Sequence, residues 1–175
     1  MLQKQERLAR FEQVVVPHLN AAYNLAHWLL GNDQDAEDMV QEAYLRAFRF
    51  FDGYHGGDSR AWLLMIVRNT CYDWIQHSRA HPQHTSFDEE LHSVGCDDLD
   101  SERLLLKDLD QQVLRQALAE LPLEFREAIV LRELEGLSYK EIALITKVPL
   151  GTVMSRLSRA RKLLQQKFLK GMDRE

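Results

Sequence analysis

Residues 137–164 read LSYKEIALITKVPLGTVMSRLSRARKLL, and this stretch decides the fold of the C-terminal part of the chain. Ser138 is followed three residues later by Glu141, which is the pattern of a capping box at the start of a helix. Pro149 has no backbone amide and disfavours helical angles in the residue before it. The spacing therefore predicts a short helix that begins after Ser138 and ends before Pro149.

A second helix is predicted to begin at Gly151 or Thr152, with one apolar stripe and one basic face. The stripe consists of Val153, Leu157, Ala160 and Leu164. The opposite face carries Met154, Ser155, Arg156, Ser158, Arg159, Arg161 and Lys162. Two helices joined by a tight turn, the second one basic outside, indicate a helix-turn-helix whose second helix enters the DNA major groove. The alternative is an ordinary helical hairpin with a solvated basic face.

The charges of the chain are segregated along its length. The 175 residues carry a net charge of −5, which is mildly acidic. Residues 88–110 hold nine acids and two bases, whereas residues 142–172 hold seven bases and no acid. Such a division indicates segments with different partners, and it reconciles the overall acidity with DNA binding by the C-terminal segment.

Composition also bears on compartment and cofactors. The chain has two cysteines, Cys71 and Cys96, far apart in sequence, and we expect a reduced, cytoplasmic protein. The first residues do not resemble a signal peptide, and no apolar run reaches the roughly 20 residues that span a bilayer, so we expect no membrane insertion. No set of nucleophile, base and orienting group occurs, so we expect no enzyme and no cofactor.

A zinc site is the metal-binding alternative. Its candidate ligands are His77, His81, His84, His92 and Cys96. His77 and His81 would share a face only if the helix continued between them and beyond, and Pro82 interrupts it. We therefore expect no metal.

The whole chain is predicted to be all-α. Helical periodicity and caps indicate a compact three- or four-helix domain in residues 1–80, in which Phe50, Trp62 and Trp74 are expected in the core. Residues 81–107 are polar, acidic and broken by proline and glycine, so we predict a flexible linker, with a short helix near its end. Residues 108–175 form a second helical domain that contains the helix-turn-helix.

Two long segments of the chain resemble the sigma-70 family of bacterial transcription initiation factors. They read DAEDMVQEAYLRAFRFFDGYHGGDSRAWLLMIVRNTCYDWI and LPLEFREAIVLRELEGLSYKEIALITKVPLGTVMSRLSRARKLL. Their order and spacing are similar to the small extracytoplasmic-function (ECF) group, which keeps only sigma regions 2 and 4. The resemblance implies promoter-specific transcription initiation, with stress response as the usual setting.

The resemblance also implies partners. Region 2 of the family binds the clamp helices of the RNA polymerase β′ subunit, and the matching residues here are Asp38, Gln41 and Glu42. Without the resemblance, these residues read as an ordinary solvated acidic face. Further implied partners are the β flap of the polymerase, promoter DNA and an anti-sigma factor.

Promoter contacts are implied at both ends of the chain. The matching residues for the −10 element are Tyr54, Arg60, Trp62, Arg68 and Asn69, which combine aromatic platforms, an amide and cations. The matching residues for the −35 element are Arg132, Tyr139, Lys140, Thr152, Ser155, Arg156, Ser158 and Arg159. Many family members have a basic residue where Met154 stands, which leaves the role of this position open.

A second class of function remains as an alternative. A stand-alone helix-turn-helix regulator would carry a ligand- or phosphate-sensing domain before its DNA-binding domain. Such a domain needs a receiver fold with β-strands or a pocket, and the helical N-terminal half indicates neither. Binding to polymerase core distinguishes the two classes.

Overall fold

The computed structural model describes residues 1–80 and 101–172, with side chains for residues 1–80 and 110–170. This part of the chain is helical, as predicted. Its helices are α1 Leu2–Val15, α2 Leu19–Leu30, α3 Asp33–Phe50, α4 Ser59–Ala80, α5 Ser101–Ala119, α6 Leu123–Ile129, α7 Tyr139–Thr146 and α8 Leu150–Met172. Short 3-10 turns at Val16–His18 and Phe51–Gly53 follow α1 and α3, and a π turn at Val130–Leu134 extends α6.

Local side-chain chemistry sets the helix boundaries of the N-terminal half. Gly31 ends α2 with φ +82°, a left-handed conformation that favours glycine. The Asn32 side chain then accepts a hydrogen bond from the amide of Asp35 at 2.8 Å and caps α3. The Asp58 carboxylate accepts from the amide of Ala61 at 3.0 Å and does the same for α4.

The helix-turn-helix is confirmed, and its start is the capping box. Ser138 accepts from the amide of Glu141 at 3.2 Å, while Glu141 accepts from the amide of Ser138 at 2.6 Å. Lys147 ends α7 with φ +56°. Helix α8 starts at Leu150, slightly earlier than predicted, because the carbonyl of Pro149 already accepts from the amides of the first turn.

The predicted burial of Phe50 is wrong by one residue. Phe50 is 61% exposed, whereas Phe51 is 4% exposed. Helix α3 ends at Phe50 and the backbone tightens into a 3-10 turn, which changes the direction of the next side chain. Phe51 packs edge-on against Phe11, with ring centroids 5.3 Å apart. Trp62 and Trp74 are only partly buried.

The N-terminal half and the C-terminal half pack against each other. Helix α4 contacts α7 and helix α2 contacts α6, so the buried apolar residues of both halves form one cluster. Arg126 donates to the carbonyl of Trp28 at 3.0 Å across this interface. Residues 81–100 of the predicted linker lie outside the described residues, and α5 covers its last seven positions.

Within residues 1–80 and 101–172, no helix has both the length and the apolar character that a bilayer crossing requires.

The buried Cys71 thiol predicts a loss of stability at alkaline pH. Burial raises the pKa of Cys71 to about 12 from its ordinary 9.0, so the native state keeps a proton that the unfolded state releases. The contribution of this buried protonated thiol to stability is complete below about pH 9. Above that pH the contribution falls by about 1.4 kcal/mol per pH unit. Urea unfolding at pH 8 to 10.5 should show a shallower decline for Cys71→Ala than for the wild type. Parallel declines would contradict the assignment.

Candidate nucleic-acid and polymerase interfaces

Helix α8 presents its predicted DNA-reading face to solvent. Ser155, Ser158 and Arg159 are exposed and lie at i, i+3 and i+4, so they share one face of the helix. Met154 is 52% exposed beside them. The predicted apolar stripe faces inward, with Val153, Leu157 and Ala160 buried. The helix is therefore anchored on one side and free to contact a duplex on the other.

Arg156 occupies a different position from Arg159. Its side chain is only 17% exposed and pairs with Glu124 of α6 at 3.5 Å. It flanks the buried stripe instead of lying on the face that carries Ser155 and Ser158. Thr152 lies on the same side as Arg156, is half-buried, and its carbonyl accepts a hydrogen bond from Ser155 at 3.0 Å. Arg156 is therefore largely covered whereas Arg159 is exposed, although the sequence presents the two arginines as equivalent.

A second group of predicted DNA contacts surrounds the start of α7. Arg132 donates to the carbonyl of Leu137 at 2.8 Å, and its guanidinium lies 4.9 Å from the centre of the Tyr139 ring. Arg132 therefore fastens the turn that leads into α7. Lys140 is exposed and Tyr139 half-buried, so Lys140 is the freer cation for a phosphate.

Aromatic rings line the loop between α3 and α4. The Tyr54 ring lies 5.0 Å from the Trp62 ring, and the Tyr54 hydroxyl donates to the carbonyl of Gly57 at 2.8 Å. A cleft of about 300 Å³ beside them is also lined by Met65 of α4 and Leu144 of α7. The two rings predicted to stack against bases therefore adjoin each other, and the C-terminal half borders them.

Asn69 lies two helical turns after Trp62 on the same side of α4 and is half-buried. Within the described residues its side chain makes no hydrogen bond. The carboxylate of Asp73, one turn further on, pairs instead with Arg46 at 2.9 Å. The Asn69 amide is accordingly available for a ligand.

Arg60 and Arg68, the two predicted phosphate-binding cations of α4, are engaged by the C-terminal half. Arg60 donates to the carbonyl of Glu135 at 3.2 Å. Arg68 donates to the Glu127 carboxylate at 2.5 Å and lies 4.0 Å above the Tyr72 ring. Tyr72 also donates to Glu127, at 2.9 Å. Neither arginine is free to hold DNA in this arrangement.

Glu127 is a fully buried carboxylate at the centre of that contact. Burial raises its pKa, and the hydrogen bonds from Arg68 and Tyr72 oppose the rise, as does the charge of Arg156. Burial also raises the pKa of Tyr72, and the nearby Glu127 charge adds to that effect. Sequence reasoning passed over Glu127, because a lone acid on a helix usually faces water.

The predicted polymerase-binding residues of α3 lie on one exposed face. Asp38 and Gln41 are exposed, while Glu42 is half-buried and pairs with Arg46 at 3.0 Å. Leu45 is 62% exposed and shares the face of Asp38 two turns away. We call Asp38, Gln41 and Leu45 the α3 patch. Leu45 adds an exposed apolar side chain to this face, and its place there was not predicted from the sequence.

Of the candidate zinc ligands, only His77 lies in the described residues, at an exposed position near the end of α4. The other four candidates lie outside them. No group of three or more metal-ligating side chains comes together in residues 1–80 and 110–170.

Family comparisons match both halves. The model of sigma-70 region 2 matches residues 14–81, and that of sigma-70, region 4 matches residues 111–164. The ECF RNA polymerase sigma factor SigE of Mycolicibacterium smegmatis is 36% identical over 166 residues, which cover 95% of this chain and 64% of that protein. The chain therefore spans less than two thirds of that relative.

Two further comparisons cover most of this chain and most of the protein to which it is compared. The ECF RNA polymerase sigma-E factor of Escherichia coli (strain K12) is 36% identical over 140 residues, which are 76% of this chain and 73% of that protein. The solved structure of the sigma factor RpoE with the anti-sigma factor NepR from Bartonella quintana is 30% identical, with a TM-score of 0.75. That likeness covers 91% of this chain and 96% of the solved chain. The chain belongs to the sigma-70 family, among the ECF RNA polymerase sigma factors.

Proposed function

We propose that this chain binds RNA polymerase core and directs transcription initiation at specific promoters. The observation that carries the proposal is the combination of an anchored helix-turn-helix with an exposed reading face and a region 2 half with an exposed mixed polar and apolar α3 patch. Such a factor acts where polymerase and chromosome are, in the cytoplasm.

The proposed division of labour follows the two halves, residues 1–80 and 108–175. In α8, Arg159, Ser155 and Ser158 contact the −35 duplex, since they share the exposed face. Lys140 holds a phosphate nearby, whereas Arg132, Tyr139, Arg156 and Thr152 support the surface from within the domain. In the N-terminal half, Tyr54 and Trp62 stack against bases of the melted −10 strand, Asn69 reads a base edge, and Arg60 and Arg68 hold phosphates once exposed.

An anti-sigma factor is a further proposed partner. The support is the likeness to the RpoE chain solved with its anti-sigma factor NepR, which extends over 91% of this chain. The exposed apolar side chains of α3, Leu45 and Phe50, offer contact area for a protein of this kind.

Co-purification with polymerase core tests the proposal against a stand-alone regulator. A tagged full-length chain mixed with core enzyme should elute with it on size exclusion as a complex of one chain per core. A chain that binds DNA but never co-elutes with core at micromolar concentration would contradict the proposal.

The double variant Asp38→Lys with Leu45→Ala should weaken core binding by about tenfold or more. The variant reverses the charge at Asp38, which affects partner specificity, and removes the apolar side chain of the α3 patch, which reduces the contact area that a partner can bury. Glu42 is left intact, because changing it would also break its pair with Arg46. Fluorescence titration of labelled chain with core measures the affinity. Glu12→Lys, an exposed charge reversal on α1, is the control, and an equal loss in both would refute the patch.

Asn69→Ala should impair promoter opening by about tenfold and leave duplex docking unchanged. An asparagine amide can match one base edge, which becomes accessible only after melting. On a pre-melted bubble template the defect should persist, and it should vanish when the base that Asn69 reads is changed. A defect that is the same for every base, with a lower melting temperature of the protein, would make Asn69 a structural residue.

A further inference from the structure

One arginine fastens helix α1 to the end of α3. The Arg7 guanidinium donates from Nε to the Asp52 carboxylate and from Nη2 to the carbonyl of Phe48, both at 2.9 Å. It also lies 4.6 Å from the centre of the Phe48 ring. Phe48 belongs to the last turn of α3 and Asp52 to the 3-10 turn that follows. Arg7 therefore holds the turn and the helix end in one fixed relation.

The turn that Arg7 holds leads into the rings proposed to stack against bases. Phe51 is buried and packs edge-on against Phe11 of α1, with ring centroids 5.3 Å apart. The Tyr54 ring is nearly parallel to the Phe51 ring, with an interplanar angle of 17° and centroids 6.0 Å apart. Tyr54 in turn lies 5.0 Å from Trp62. A continuous series of ring contacts therefore leads from α1 to Trp62.

Arginine suits this position because its planar guanidinium carries several donors in fixed directions. The Arg7 side chain is 31% exposed and that of Asp52 is 76% exposed. An ion pair to so open a carboxylate contributes little to the free energy of unfolding. The same guanidinium also binds a backbone carbonyl and covers a ring. We therefore expect Arg7 to restrict the position of the turn more than it stabilises the fold.

We propose that Arg7 is a positioning residue for promoter opening, which holds residues 51–57 so that Tyr54 and Trp62 present their rings to the melted −10 strand. The inference rests on the proposed function. Arg7 acts through Tyr54 and not through the DNA, because its donors are directed at Asp52 and Phe48. A ring that is already in place captures an unstacked base without the cost of ordering the turn. Loss of Arg7 therefore weakens capture of the base.

Hydrogen exchange of the full-length chain measures how firmly the turn is held, without polymerase. The amide of Tyr54 donates to the carbonyl of Phe51 at 3.0 Å, so its exchange rate reports opening of the turn. Arg7→Ala should speed exchange in residues 51–57 by about fivefold and leave the amides of α8 unchanged. The matched control is Lys4→Ala, which removes the same charge from an exposed position of α1.

Promoter opening by the holoenzyme tests whether Arg7 acts through Tyr54. A fluorescent adenine analogue in the −10 element reports the fraction of open promoter. Arg7→Ala should lower the opening equilibrium constant by about fivefold, but by less than about twofold when Tyr54→Ala is also present. A structural defect unrelated to the ring would give the same loss in both backgrounds. Arg7→Lys should resemble Arg7→Ala, because lysine keeps the charge but not the paired bonds.

Exchange rates equal in Arg7→Ala and Lys4→Ala would overturn the proposal, as would equal losses of opening with and without Tyr54→Ala. Opening by Arg7→Lys at the wild-type level would also overturn it and make Arg7 a phosphate-binding charge. If circular dichroism shows that Arg7→Ala is misfolded, Asp52→Asn decides, because it weakens one bond at an exposed side chain. Its exchange in residues 51–57 should rise, and an unchanged rate would overturn the proposal. Faster exchange in Arg7→Ala, with a wild-type holoenzyme that opens no promoter, would instead refute the proposed function alone.

Discussion

Leu157→Ala is expected to lower the free energy of unfolding by about 2–5 kcal/mol and to abolish −35 duplex binding. Leu157 is fully buried in the middle of the apolar stripe of α8. Truncation removes buried methyl groups and leaves a cavity that surrounding side chains fill only in part. Because α8 carries the reading face, loss of its anchor affects every DNA contact of the helix.

Met154→Ala is the matched control on the same helix. Met154 is 52% exposed, and surface substitutions of this kind change stability by about 0.5 kcal/mol or less. Urea unfolding followed by circular dichroism measures both variants. Equal losses would show that α8 is not anchored through this stripe.

Arg159→Ala is expected to cost about 1–3 kcal/mol in binding to the specific −35 duplex. Arg159 is exposed beside Ser155 and Ser158, and its guanidinium can donate a bidentate pair of hydrogen bonds to guanine. Arg156→Ala should behave differently, because Arg156 pairs with Glu124 and is largely covered. Arg156→Ala should lower the stability of the protein. Any weakening of DNA binding by this variant should be similar for every DNA sequence.

Fluorescence anisotropy of the holoenzyme on −35 duplexes at fixed salt separates these roles. The promoter duplex and a scrambled duplex of equal length are titrated in parallel, since phosphate contacts depend on salt and not on sequence. For Arg159→Ala the loss should be confined to the promoter duplex. Equal loss on both duplexes would reassign Arg159 from base reading to phosphate binding.

Local chemistry made much of the fold predictable. The capping box at Ser138 and Glu141 depends on residues three apart, so the sequence alone specifies it. The left-handed end of α2 at Gly31 follows from one glycine. The predicted burial of Phe50 was wrong by one position, because the backbone changes from an α-helix to a 3-10 turn at the end of α3. That turn buries Phe51 and leaves Phe50 exposed.

Long-range contacts could not be predicted from the sequence. Arg68 and Glu127 are 59 positions apart, and each resembles an ordinary surface charge in its own segment. Likewise, Arg156 and Arg159 differ by three positions, yet only the packing of α6 against α8 shows that one is covered. The residues proposed for DNA and polymerase contact remain predictions that the variants above test.

Run-off transcription with purified core polymerase tests the central claim most directly. Core alone, core with the wild-type chain, and core with Leu157→Ala are each supplied with genomic fragments, and the start sites are mapped. We predict discrete transcripts only with the wild-type chain, from start sites that share one upstream sequence pair at −35 and −10. Transcripts that are identical with core alone, or that persist unchanged with Leu157→Ala, would contradict the account.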